Sequence, residues 1–200
     1  LEQLGNALSF DGVDDYVDCG NDASLNVGSN DFTVEVWAKA TGGVTGRGVI
    51  NKGSWRSVGY AIQEAYSPAN RYYFVVTDSA GYKSIALPLY ETWDWTHIVG
   101  IKKGNYLEAW VNGAKVGTFS GAIGSLDNPA KKLEIGRSSN SNYFNGLIDD
   151  VRIYNSALSF SAIREHYLAG LDKLLAGGQI TEDDYQQRIA ELNSNYVARK

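Results

Sequence analysis

Tyr106-Leu-Glu-Ala-Trp-Val-Asn-Gly-Ala-Lys-Val-Gly-Thr-Phe119 reads as two short strands joined by a tight turn. Asn112-Gly113 accepts the positive φ angles of a type I′ turn, so the flanking runs are expected to form a hairpin. Alternation sends Leu107, Ala109 and Val111 to one face and Tyr106, Glu108 and Trp110 to the other. The run Phe32 to Lys39 divides the same way: Phe32, Val34, Val36 and Ala38 oppose Thr33, Glu35, Trp37 and Lys39. In both runs the first face is expected in the core. The second carries an aromatic ring and a carboxylate.

About a dozen such runs recur between Leu8 and Tyr154, separated by Gly, Asn, Asp and Ser clusters. No helical pattern long enough for a crossover interrupts them. An all-β fold follows, an antiparallel sandwich or barrel. The 200 residues suffice for one domain or one domain plus an appendage. The net charge of −5 argues against nucleic acid and anionic membrane surfaces, because phosphate binding needs a basic face. No apolar run approaches the roughly 18–20 residues of a membrane span, so direct membrane insertion is not expected. The chain starts at Leu1 and contains no Met, and so reads as a processed or excised product. The single Cys19 excludes an internal disulfide, and alternation with Val17 makes a packed apolar thiol the expectation.

Near residue 158 the composition changes. All five Trp and nineteen of the 22 Gly precede that point. Beyond it the apolar period becomes helical, with stripes at Ile163, Tyr167, Leu171, Leu174 and Leu175 and at Tyr185, Ile189, Leu192 and Tyr196. Gly177-Gly178 separates them, and Thr181 with Asp184 marks a helix start near 181. The chain therefore divides into residues 1–158 and a C-terminal α-helical hairpin over 159–200. The hairpin must lay its stripes on each other, on the sandwich, or on another copy in self-association. Five basic against six acidic side chains make it a poor DNA reader.

The segments Leu8 to Val17, Phe32 to Lys39, Val49 to Gly53, Trp95 to Val99, Ala109 to Gly113, Ile135 to Arg137 and Tyr143 to Leu158 carry a family resemblance. In order and spacing they resemble laminin G-like jelly rolls of the concanavalin A-like superfamily, over roughly residues 7–158. The resemblance implies a two-sheet jelly roll with adjacent first and last strands. Function is less constrained, because this fold hosts lectins, adhesion modules and glycosidases.

Asp11, Asp14 and Asp15 lie in the turn after Phe10, and Asp149-Asp150 precedes the last strand. If the terminal strands are adjacent, as the resemblance implies, these carboxylates and nearby carbonyls converge on a structural Ca²⁺, with Asp11 and Asp149 the better candidates. The alternative is that Asp11 and Asp14 cap a turn while Asp150 is solvated. The face holding Glu35, Trp37, Tyr106, Glu108 and Trp110 either stacks on a sugar or packs beneath loops or the hairpin. A loop surface of Trp55, Arg56, Tyr66, Arg71, Tyr82, Trp93, Asp94, Arg137, Asn140, Asn142 and Tyr143 is the second ligand candidate. Catalysis is not expected. No strand carries the alternating carboxylates of the superfamily's glycosidases, Glu35 and Glu108 pair only if their strands are neighbours, and His97 reads as a half-buried strand residue. The leading reading is a non-catalytic extracellular or cell-surface module binding a glycan or cell-surface polymer. A structural domain of a surface appendage is the alternative, and a glycosidase comes third.

Overall fold

The computed structural model of the chain describes residues 7–41, 46–53, 56–65, 71–89, 94–138 and 142–197. Trp55, Tyr66, Trp93 and Asn140 lie outside the described residues. In chain order the elements are β1 (Leu8–Asp11), β2 (Val17–Asp18), β3 (Phe32–Ala40), β4 (Gly48–Asn51), β5 (Gly59–Glu64), β6 (Arg71–Asp78) and β7 (Gly81–Leu89). They continue with β8 (Thr96–Lys103), β9 (Tyr106–Val111), β10 (Ala114–Ser120), β11 (Glu134–Ile135), β12 (Arg137–Ser138), β13 (Asn142–Tyr143) and β14 (Asn145–Tyr154). Helices α1 (Phe160–Ala176) and α2 (Glu182–Val197) close the chain.

Two six-stranded antiparallel sheets form the sandwich, in the orders β1-β14-β3-β8-β9-β10 and β2-β11-β4-β5-β6-β7. The β9–β10 hairpin turns at Asn112 (φ 50°) and Gly113 (φ 73°), as the sequence requires of a type I′ turn. The first and last strands are neighbours, with Leu8 opposite Ile148 and Asp11 opposite Asn145. The inward faces form one core. Phe32, Val34, Val36, Ile98, Leu107 and Ala109 of the first sheet meet Tyr60, Ile62, Phe74 and Val76 of the second. The Phe32 ring lies 4.9 Å from Tyr60 and 6.4 Å from Phe74. At Gly100 a Cβ would stand 2.4 Å from the Phe74 ring, so that ring occupies space only glycine leaves.

The hairpin is a third layer on the outer face of the first sheet. Ser159 caps α1 by accepting the Ala162 N–H, while Thr181 and Asp184 exchange hydrogen bonds at the start of α2. The apolar stripe of α1 meets the tryptophans of the sheet, with Tyr167, Leu171 and Leu174 against Trp37 and Trp95 and Ile163 against Trp110. Leu192 from α2 joins the first of these clusters. Gly170 permits the approach, since a Cβ there would fall 2.5 Å from the Trp37 indole. Arg188 adds a polar tie, donating to the Trp95 carbonyl at 3.0 Å and pairing with Asp94.

Two expectations are corrected here. Trp37 and Trp110 are 2% and 4% exposed beneath the helices, so they are scaffold and cannot stack on a sugar. Cys19 is exposed, because β2 ends at Asp18 and the thiol lies beyond the strand whose alternation was to bury it. Of the two stripes, Ile163, Tyr167, Leu171, Leu174 and Leu192 are buried against the chain's own sheet. Among the described residues, no helix is long and apolar enough to cross a membrane.

Candidate functional site

Pairing of β1 with β14 brings two loops together at one edge of the sandwich. One is the turn 11–16, which Gly12 makes possible at φ 80°, packed so closely on Asn145 that a Cβ would sit 2.8 Å from that side chain. Within the turn the Asp11 carboxylate accepts the Val13 N–H at 2.8 Å, and Asp15 accepts the Asp11 N–H at 3.2 Å. Asp11, Asp14 and Asp15 are all exposed, and one oxygen from each lies within 4.8 Å of the others. Like charges at that spacing repel unless solvent or a cation intervenes. An all-oxygen donor set is what a hard cation such as Ca²⁺ takes, and solvent-side water would complete its shell. The same geometry also gives Asp11 the turn-capping role.

Asp149 does not belong to this cluster. Asp11 faces Asn145, and Asp149 lies four ladder positions further along β14, about 14 Å away at roughly 3.4 Å per residue. It pairs with Trp37 of β3 and accepts the Asp150 N–H at 2.7 Å. A bulge between Asp149 and Arg152, with Asp150 at φ 48°, shifts the register there.

The second loop is the β12–β13 ribbon, where Arg137 faces Tyr143 and Ser138 faces Asn142. The Arg137 guanidinium lies 3.6 Å from the centroid of the Tyr16 ring and 5.9 Å from that of Tyr143. The two rings are 6.3 Å apart and inclined at 51°. Glu134 holds the other side of the guanidinium with paired hydrogen bonds, which raise its pKa and fix its plane. Tyr16 is 40% exposed, while Asn142 and Tyr143 are half-buried. Thus three of the ligand candidates, Arg137, Asn142 and Tyr143, stand beside the three clustered aspartates. Tyr16 was missed as a ligand contact, although its place directly after Asp14-Asp15 ties it to the turn.

Other candidates lie apart. Arg56 is exposed in the β4–β5 connection. Tyr82 is 57% exposed on β7, four strands and about 19 Å from β11. Glu35 and Glu108 are not neighbours, because β8 separates β3 from β9. Glu108 instead pairs with Lys115 at 2.8 Å.

Glu35 sits at the centre of a polar cluster that the sequence did not reveal. Fully buried under α1, its carboxylate meets His97 Nε2 at 3.1 Å, Arg152 at 3.1 Å and His166 Nδ1 at 2.9 Å. Burial pushes the Glu35 pKa up, but the hydrogen bonds of the two imidazoles help to outweigh it and the net shift is downward. Burial holds His97 below its ordinary value against the opposing pull of Glu35. Among the described residues its Nδ1 meets no partner, and its ring lies 5.0 Å from that of Trp37 and 5.7 Å from that of Tyr167, which are themselves 5.6 Å apart, so the three rings form a triangle.

Comparison with known proteins agrees with this architecture. The binding domain of Paraclostridial Mosquitocidal Protein 1 superposes with a TM-score of 0.63 at 16% identity, covering 84% of this chain and 48% of that one. The receptor binding domain of botulinum neurotoxin D gives 0.64 at 18%, covering 84% and 46%. A heptameric SAP-like pentraxin from Limulus polyphemus gives 0.57 at 16%, covering 78% of each. The chain thus spans about half the length of the toxin domains, and at these identities the likeness shows the fold alone. A search of curated protein sequences finds no match. A family model described as the concanavalin A-like lectin/glucanases superfamily, of the laminin G type, matches residues 11–164. With that match across both sheets and the start of the hairpin, the chain belongs to the concanavalin A-like lectin/glucanase superfamily as a laminin G-like domain.

Proposed function

We propose that this lectin-type domain is a non-catalytic, extracellular or cell-surface module that binds a glycan at the β1/β12–β13 edge, with Ca²⁺ held by Asp11, Asp14 and Asp15. The carrying observation is the Tyr16–Arg137–Tyr143 stack beside the three-carboxylate turn. Tyrosine rings offer apolar faces to a pyranose, and Asn142 and the exposed carboxylates offer hydrogen-bond partners to its hydroxyls. The cation would offset two of the turn's three negative charges and fix it against the tyrosines. With Asp149 outside the cluster, its shell would contain at most three protein carboxylates and much water. Affinity on the order of 10⁻⁴–10⁻³ M follows, the range of extracellular calcium modules.

Calorimetry tests the cation. Millimolar calcium is expected to give saturable heat that the double substitution Asp14→Asn with Asp15→Asn removes. Absence of heat, together with a melting temperature indifferent to chelator, would sink the calcium site. A glycan array probed in calcium tests the ligand class, and no binding at high micromolar protein would reject a glycan-binding role.

A further inference from the structure

We propose that Glu35, His97 and His166 form a proton-sensitive clasp that couples docking of the helical hairpin to pH, holding it at neutral pH and loosening it in mild acid. The clasp joins three strands of the first sheet to α1. Glu35 comes from β3, His97 from β8 and Arg152 from β14, while His166 reaches down from α1. An ionised carboxylate only accepts hydrogen bonds, so His97 donates through Nε2 and His166 through Nδ1. His97 Nδ1 is thereby left as a bare acceptor beside the stacked Trp37 and Tyr167 rings, with no partner among the described residues.

Charge decides the direction. With His97 neutral, the Glu35 carboxylate and the Arg152 guanidinium balance each other. A proton added to His97 places a second cation beside a single carboxylate and creates a buried N–H at Nδ1 with no acceptor. Tyr167, which covers the imidazole, belongs to α1, so lifting the hairpin uncovers His97 while β8 stays within its sheet. The released state takes up the proton that the docked state excludes. The docked-state pKa of His97 is depressed below 6.5, so its contribution is present above that pH and is lost as the pH falls. Glu35, also depressed, adds a loss in the same direction below about 4.5.

The remaining charged groups around the clasp do not reverse this. Arg152 also pairs with Asp150 at 3.1 Å, and Lys173 of α1 pairs with the same carboxylate at 3.0 Å. Tyr154 stacks on His166 at 5.9 Å. The Arg188–Asp94 pair ties α2 to the segment before β8 and contains no imidazole.

Amide hydrogen exchange over residues 160–194, corrected for intrinsic rates and compared at about pH 7.5 and about pH 5.0, reads the docking equilibrium directly. With His97 titrating at its ordinary value when released and depressed when docked, hairpin opening rises by up to about thirtyfold between those conditions. Exchange in β3, β8 and β9 should not rise in parallel. His97→Gln keeps an N–H donor for Glu35 but cannot titrate, and is expected to flatten the response. Should that variant fold poorly, NMR of the wild-type His97 imidazole decides, with the docked ring expected to titrate below its ordinary value. Equal hairpin opening at both pH values, an undiminished response in His97→Gln, or a docked His97 that protonates at its ordinary value would each overturn the clasp.

Discussion

Tyr167→Ala lowers the unfolding free energy by about 3–5 kcal/mol, the cost of deleting a large buried aromatic ring. Tyr167 is 1% exposed and stacks on Trp37 at 5.6 Å with 13° between the planes. Burial pushes its phenol up to about 12, so it stays neutral throughout the working range. Removing it leaves a cavity bounded by the rigid sheet on one side and α1 on the other, and uncovers His97. Chemical denaturation measures the loss, and near-ultraviolet circular dichroism reports the altered surroundings of Trp37. A change below about 1 kcal/mol would show the hairpin to be a loosely attached appendage instead of a structural layer.

Gly146→Val has a comparable effect through the backbone. Gly146 adopts φ 145°, where side chains are strained, and a Cβ would lie 2.1 Å from the Lys39 carbonyl oxygen. Strain of about 1–3 kcal/mol adds to an overpacking cost of similar size, giving about 4 kcal/mol in all. For a chain of this length that lowers Tm by roughly 10 °C. The consequence reaches the candidate site, because Gly146 pairs with Phe10 of β1 and Ala40 of β3. Displacing β14 there detaches the strand that leads into the Asp11–Tyr16 turn. A variant melting within a degree or two of wild type would contradict the close approach of β14 to β3.

Local pattern made much of the fold legible. The Asn112-Gly113 turn, the period-two runs and the switch to helical period after residue 158 each appear where the residues imply. What alternation cannot supply is the identity of the layer above a face. Trp37 and Trp110 share their outward face with Glu35 and Glu108, a combination equally suited to a sugar platform and to a helix-packing surface. Only the docking of Tyr167 and Ile163 distinguishes the two. The Glu35 cluster was hidden for the same reason, since its four members come from β3, β8, β14 and α1, and no spacing links His97 to His166. Asp149 was misplaced because adjacency of terminal strands does not fix register. The ladder sets Asp11 against Asn145, which carries Asp149 away from the turn. Conversely, Arg137, Asn142 and Tyr143 were visible as loop candidates, but their meeting with Tyr16 depends on the short β12–β13 ribbon, which carries no strand-length pattern.

The proposed site stands or falls on whether ligand binding follows the edge stack. The direct measurement is the affinity of the best array glycan, in calcium, for wild type and for Tyr143→Ala, with Tm recorded for both. Loss of one stacking ring at about 0.5–1.5 kcal/mol predicts binding weaker by up to about tenfold at an essentially unchanged Tm, and the same glycan should release on chelation. A glycan held equally well by Tyr143→Ala and by wild type, with or without calcium, would place the site elsewhere and contradict the account.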